Sequence, residues 1–328
     1  MPELTAGTLR FPTAIRVFIK TVGARAPYGN KVLVAGGAGY VGCLLVPRLI
    51  DAGYSVVVLD RFFFGETLTT STAAPRDSLQ IVRSDIRNFD PSILDDVYAV
   101  VDLCGISNDP SCDLDSRVTW SINVEGATRL IDLSVAAGVR RYVYASSCSV
   151  YGHGEGLQLT EGMPCFPKSL YAQSKVRIEQ LLRERGREAH GNFQPVVLRL
   201  ATLFGVSPRM RFDLALNTMA NCAYVEKRIN VDGDGGQWRP FVHVNDAATA
   251  VMLALDAQSA RASNKIFNIG SNKNNRQIRQ LAHDVQAFIP AAKILYSNST
   301  SDARNYNVDF ARAEAELKFS PSTSIDGG

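Results

Sequence analysis

Lys31-Val-Leu-Val-Ala-Gly-Gly-Ala-Gly-Tyr-Val-Gly42 begins as a short apolar run and ends in a glycine-rich turn in which Gly36, Gly39 and Gly42 are spaced GxxGxxG. Residues 41–52 then show helical periodicity that closes at Gly53, and Ser55-Val-Val-Val-Leu59 is a second apolar run, ending at Asp60. Run, helix and run make a βαβ unit. Similar runs recur at 79–83, 99–103, 141–146 and 195–200, with helical stretches such as 122–138 between them. Continuous apolar strands alternating with helices imply a parallel sheet covered on both faces, so the predicted fold is α/β, a doubly wound Rossmann-like sheet.

Glycines at a strand-to-helix junction permit a tight turn and let the backbone approach a pyrophosphate, while the helix N-terminus favours the anion. Tyr40 and Val41 belong to the same turn. Asp60, at the end of the second strand, is placed to accept hydrogen bonds from an adenosine ribose. Arg61 gives the competing signal, because a guanidinium there suits a 2′-phosphate. The carboxylate of Asp60 repels that phosphate, so NAD is expected over NADP.

The second informative region is Ser169-Leu-Tyr-Ala-Gln-Ser-Lys175, which continues with helical periodicity to residue 182. On a helix Tyr171 and Lys175, four apart, share a face. A free tyrosine, with a pKa of about 10, is a poor base at neutral pH, and a nearby ammonium favours its phenolate. With Ser147 upstream, the three side chains point to proton abstraction from a hydroxyl coupled to hydride transfer, with Tyr171 as general base.

Composition excludes several alternatives. Thirty-five basic and 32 acidic residues nearly cancel, which leaves no electrostatic footprint of a nucleic-acid binder. No apolar run approaches the roughly 20 residues of a membrane span, and no secretory signal is evident. Cys43, Cys104, Cys112, Cys148, Cys165 and Cys222 are scattered without a CxxC pair or histidine cluster, so they read as thiols in a reducing, cytoplasmic setting and no metal site is expected. Arg10, Arg16, Lys20 and Arg25 alternate with apolar residues, a weak transit-peptide pattern that competes with a disordered extension or a start codon placed too far upstream; residues 1–30 are read as an extension of uncertain structure. After Gly205 the pattern loosens. Residues 31–202 and 236–258 are assigned to the dinucleotide-binding domain, and 203–235 with 259–328 to a smaller lobe closing over the substrate.

Taken in order, GGAGYVG at 36–42, Asp60, Ser84-Asp85-Ile86-Arg87, Leu103-Cys-Gly-Ile-Ser107, Asn123, Ser146-Ser147-Cys-Ser-Val-Tyr-Gly152, Tyr171-Ala-Gln-Ser-Lys175, Arg199-Leu-Ala-Thr-Leu-Phe-Gly205 and Arg239-Pro-Phe-Val-His-Val244 resemble the extended short-chain dehydrogenase/reductases, specifically the NAD-dependent epimerase/dehydratase family acting on nucleotide sugars. The resemblance spans about residues 31 to 320. It implies that Asp85 and Ile86 line an adenine pocket, that Leu103 and Gly105 line the cofactor channel with Asn123 and Ser146 beside it, and that Lys175 also bonds the nicotinamide ribose. Ser147 is then the partner of Tyr171 at the reacting sugar oxygen, with Ser149 one step further along the sugar. On the substrate side, Arg239 and Arg304 are placed on a nucleotide diphosphate, which guanidinium groups bind bidentately. Arg209 and Arg211 read as solvated loop charges, with reach to the substrate by either as the alternative.

Departures from the family pattern shape the expected reaction. The 4,6-dehydratase branch carries an Asp-Glu pair where this chain has Cys148 and Ser149, which disfavours elimination. Thr202 replaces a frequent asparagine, and Ser107-Asn108-Asp109-Pro110 is an unusual sugar-facing loop. Relatives usually continue beyond Ser324-Ile-Asp-Gly-Gly328 into a last helix, so the C-terminus reads as incomplete. The expectation is a homodimeric enzyme that oxidises a nucleotide sugar at C4 through a transient 4-keto sugar, as an epimerase or alternatively as a net dehydrogenase or ketoreductase. A silent dinucleotide-binding sensor on the same fold is the reading from another class; its signature, loss of the serine, tyrosine or lysine, is absent.

Overall fold

The computed structural model describes residues 30–68, 78–298 and 304–327. The reading of an N-terminal extension lies outside the described residues. Seven parallel strands form the central sheet: β1 (Lys31–Ala35), β2 (Ser55–Asp60), β3 (Leu79–Arg83), β4 (Ala99–Asp102), β5 (Arg141–Ser147), β6 (Gln194–Leu200) and β7 (Lys265–Ile269). Their spatial order is β7-β6-β5-β4-β1-β2-β3. The chain therefore winds outward from β1 to β3, crosses back to β4 beside β1, and winds the other way. The crevice beyond the ends of β1 and β4 is the switch point at which ligands bind in such sheets.

Side-chain alternation explains how the sheet is covered. Val32 and Val34 face one apolar cluster, with helices α1 (Gly42–Asp51) and, later in the chain, Val244–Asp256. Leu33 and Ala35 face the other, with Leu130 and Ile131 of α2 (Ala127–Ala136) and Ile178 and Leu182 of α3 (Leu170–Glu188). Two buried faces are why these strands read as unbroken apolar runs. α2 begins later than its periodicity suggests, because Ser121–Gly126 forms a π-helical turn before it. α3 is capped by the Ser169 hydroxyl, which accepts the Ala172 N–H at 3.3 Å.

The smaller lobe has its own core, in which Phe204, Leu216, Ile229, Phe241, Leu281 and Val285 pack together. It holds two helices, α4 (Ala215–Glu226) and α6 (Ile278–Phe288); α5 (Val244–Asp256), between them in sequence, lies on the Rossmann face instead. Two segments fall on the other side of the expected domain division. Lys265–Ile269 belongs to the central sheet as β7, in register with β6 from Lys265 opposite Val196 to Ile269 opposite Leu200. Trp238–His243 pairs with Thr202–Phe204 and with Asn275–Gln277 in a separate three-stranded sheet. The strand His153–Leu159 pairs in turn with Asn305–Val308.

Among the described residues no helix is long and apolar enough to cross a membrane, and no cluster of histidine, cysteine and carboxylate side chains suits a metal ion. All six cysteines are free thiols.

Candidate active site

The glycine turn sits at the switch point. Gly36 has φ of +78°, and a Cβ there would lie 2.9 Å from the Leu103 carbonyl carbon, so only glycine lets the end of β1 pass this close to the segment leaving β4. A Cβ on Gly42 would stand 2.3 Å from the Gly37 oxygen, which would force the first turn of α1 off the loop. Asp60 fixes the loop from below: Oδ2 accepts the Ala38 N–H at 3.0 Å and Oδ1 accepts the Phe62 N–H at 2.8 Å. A cradle without side chains, a helix N-terminus and an oriented carboxylate fit a dinucleotide. The Tyr40 side chain, however, faces the lobe: its hydroxyl donates to the Gly205 oxygen at 2.5 Å and accepts from Asn217 at 3.1 Å. Val41 is buried at the helix start.

Beside the turn, a pocket of about 600 Å³ is lined by Arg61, Arg83, Ser84, Asp85, Arg87 and Asn88. Arg87 grips Asp85 with Nε at 2.9 Å and Nη2 at 2.8 Å, and Arg61 adds Nη1 at 2.7 Å. These bonds, those of Arg87 foremost, hold the Asp85 carboxyl well below the usual carboxylate range. Ile86 departs from expectation: its side chain turns inward into the apolar cluster beneath α2.

Two more residues expected at the cofactor have other partners. Asn123 clamps the loop after β4, accepting from the Ile106 N–H at 2.8 Å and donating to the Ile106 oxygen at 2.9 Å. The Ser146 hydroxyl donates to the Glu179 carboxylate at 2.5 Å, and Glu179 in turn pairs with Arg199 at 2.7 Å. Neighbours on a strand point to opposite faces, so Ser146 and Ser147 cannot both face the crevice.

Ser147 ends β5, its hydroxyl accepting the Ser149 N–H at 3.1 Å. Burial pushes the Tyr171 phenol up to about 12, opposed first by the charge of Arg211 and then by the Ser147 hydroxyl. Helical spacing assigns the phenolate-favouring charge to Lys175, whereas the leading cation acting on the phenol is Arg211. Lys175 Nζ donates to the Ala145 oxygen at 2.8 Å and rests over the Tyr144 ring at 4.6 Å, with the Tyr171 ring centroid 5.6 Å away. Ser149 lies next along the segment, its Oγ buried without a hydrogen-bond partner among the described residues. Thr202 is half-buried at the start of its short strand.

Arg211 is no solvated charge. Its side chain is 11% exposed, it chelates Asp213 through Nε and Nη2, and Nη2 donates to the Ser107 oxygen at 3.4 Å. Asn108 completes the bridge with a bond to Asp213 at 2.8 Å. Arg209 stacks on the Phe64 ring at 3.6 Å. The structure brings the two expected phosphate ligands together, since Arg239 donates to the Arg304 oxygen at 2.5 Å and Arg304 pairs with Asp109 at 2.5 Å. Asp109 also acts electrostatically on Tyr171, which puts the Arg304–Asp109 pair in the neighbourhood of the phenol.

A Rossmann sheet with serine, tyrosine and lysine gathered at its switch point is the architecture of a short-chain dehydrogenase/reductase. Within that class the chain belongs to the NAD dependent epimerase/dehydratase family, whose model matches residues 32–270. It is 31% identical over 245 residues to a UDP-glucose 4-epimerase of Azospirillum brasilense, covering 69% of this chain and 68% of that one. It is 28% identical over 326 residues to UDP-glucuronic acid decarboxylase 4 of Arabidopsis thaliana, covering 94% and 70%. Among solved structures, MoeE5 in complex with UDP-glucose and NAD superposes with a TM-score of 0.79 at 27% identity, covering 90% of this chain and 95% of that one.

Proposed function

We propose that the protein binds NAD and a nucleoside-diphosphate sugar and oxidises the sugar at C4, returning the hydride to the opposite face so that the net reaction is 4-epimerisation. The observation that carries this reading is the gathering of Ser147 at the end of β5 with Tyr171 and Lys175, whose Nζ lies 5.6 Å from the Tyr171 ring centroid, beside a glycine turn that fits a dinucleotide. Tyr171 takes the hydroxyl proton while Ser147 holds the same oxygen; Lys175, seated on the Ala145 carbonyl, orients the nicotinamide ribose. The bound nicotinamide supplies the acceptor for the C4 hydride. Arg239 and Arg304 hold the diphosphate. Asp60, facing the adenosine ribose, supports NAD over NADP. Relatives that are UDP-glucose 4-epimerases, and a neighbour holding UDP-glucose and NAD, support the substrate class.

Elimination of water is disfavoured by the position after Ser147, where Cys148 is a buried thiol that burial pushes well above its ordinary value and that donates to the Arg199 carbonyl. A second reading is supported by Arg211. A guanidinium close to the reacting phenol suits a uronate carboxylate, and C4 oxidation of a uronate creates a β-keto acid, which loses carbon dioxide. The test is incubation with UDP-, GDP-, CDP- and dTDP-linked hexoses and uronates, followed by chromatography and mass spectrometry. An isomer of unchanged mass supports epimerisation, loss of carbon dioxide supports decarboxylation, and loss of two hydrogens supports net oxidation. Failure of every sugar nucleotide to react, with NAD bound, would leave the sensor reading.

A further inference from the structure

Asp102 is the last residue of β4, is 1% exposed, and stands inside the apolar run Ala99-Val-Val-Asp-Leu103. A carboxylate in such a place requires partners. Oδ1 accepts the Cys104 N–H at 3.0 Å and Oδ2 accepts the Tyr142 hydroxyl at 2.9 Å, but both donors are neutral. In sheet register Asp102 lies opposite Tyr144, and it is the Tyr144 ring that carries the Lys175 ammonium at 4.6 Å. Lys175 is itself 6% exposed, and among the described residues no carboxylate forms a direct salt bridge with it. A buried carboxyl group and a buried amine thus border Tyr144, the first paired with it across the sheet and the second over its ring.

We propose that Asp102 is the counter-ion of Lys175, a positioning residue that keeps the ammonium charged and seated on the Ala145 carbonyl beneath the cofactor. Burial lowers the Lys175 pKa, and the leading opposing influence is the charge of Asp102; reciprocally, burial raises the Asp102 pKa, and Lys175 is the leading influence lowering it. The other groups facing Lys175 are weaker candidates. Cys104, on the loop after β4, and Cys112, on the segment Asp109–Leu114, are thiols whose pKa burial raises. Glu179, on the same helix, is engaged by Arg199 at 2.7 Å. Tyr142 and Tyr144 of β5, and Tyr171 one turn away, are phenols raised by burial. The proposal rests on Lys175 serving the cofactor and is independent of which sugar is turned over.

The test uses Asp102→Asn and Tyr142→Phe in the full chain. Both break the Asp102–Tyr142 hydrogen bond, but only the first removes the charge. In Asp102→Asn, Lys175 loses its proton at lower pH, so the pH at which NAD affinity declines on the alkaline side should fall by about one unit or more, the range for loss of a nearby opposite charge. Tyr142→Phe should leave that pH where it is in the wild type. A folded Asp102→Asn variant with an unmoved alkaline decline, or an equal shift in both variants, overturns the proposal. Should Asp102→Asn not fold, isotope-edited infrared spectroscopy of aspartate-labelled Lys175→Met supplies the reciprocal readout. The buried carboxyl should then protonate at higher pH than in the wild type, and an unchanged titration overturns the proposal equally.

Discussion

The Arg211 guanidinium reaches the Ser107 carbonyl at 3.4 Å, which ties the loop leaving the lobe strand Thr202–Phe204 to the loop leaving β4. The same cation is the leading charge acting on the Tyr171 phenol. The position of the 107–109 loop and the proton affinity of the Tyr171 phenol are therefore linked through one side chain.

That linkage sets a pH dependence. Burial raises the Tyr171 pKa and Arg211 lowers it, so removing the guanidinium raises it further. Arg211→Ala should move the rising, acid-side limb of the kcat/KM profile to higher pH, and Arg211→Lys should restore most of the wild-type position. A limb that stays in place in Arg211→Ala would show that the charge does not reach the base.

Asp60 holds the glycine turn and, in the proposed function, also faces the adenosine ribose, and its substitution tests both. Asp60→Asn removes the repulsion toward a 2′-phosphate while Arg61 remains beside it, so the ratio of kcat/KM for NADP to that for NAD should rise. Affinity for both cofactors should fall as well, because an amide cannot accept both the Ala38 and Phe62 N–H groups that the carboxylate holds. An unmoved ratio would show that Asp60 does not face the ribose.

Arg239→Ala and Arg304→Ala should each raise KM for the sugar nucleotide by about ten- to a hundredfold with little loss of kcat, because a charge-assisted bond to a remote phosphate, worth roughly 1.5–3 kcal/mol, acts about equally on ground and transition states. Steady-state kinetics over a wide substrate range separates the two constants. Because Arg304 also pairs with Asp109, its loss should perturb the sugar-facing loop more than loss of Arg239.

Glu179 and Arg199 are 5% and 4% exposed at their side chains and form an ion pair beside β5, where Glu179 also accepts the Ser146 hydroxyl. Glu179→Ala leaves a buried guanidinium and the Ser146 hydroxyl without their acceptor, and should destabilise the fold by about 3–5 kcal/mol in chemical denaturation. A loss below about 1 kcal/mol would mean that water or another carboxylate replaces it.

Much of the fold was legible because a doubly covered parallel sheet writes each strand as an apolar run. β1 and β3 fall at 31–35 and 79–83 as read. β7 was hidden because Asn268 interrupts its run. That side chain is fully buried and accepts from the Tyr151 hydroxyl at 2.8 Å, a compensation visible only in three dimensions. At the site, Tyr171 and Lys175 were legible because helical spacing alone makes them neighbours. Arg211 was not, since its importance depends on which way a loop folds. Asp102 left a usable signal, a lone acid in an apolar strand. The adjacent serines left another, because strand alternation admits only one of Ser146 and Ser147 to the crevice.

The central claim is that Tyr171 starts a C4 oxidation whose hydride returns to the same sugar. The most direct measurement follows a sugar nucleotide deuterated at C4, selected from the panel, through a single turnover by the wild type and by Tyr171→Phe. An isomer that keeps its deuterium and its mass is expected, formed at least about 10²-fold more slowly by the variant, which still binds NAD. A product that has lost water or carbon dioxide, an isomer that has exchanged its deuterium with solvent, or near-normal turnover by Tyr171→Phe would contradict it.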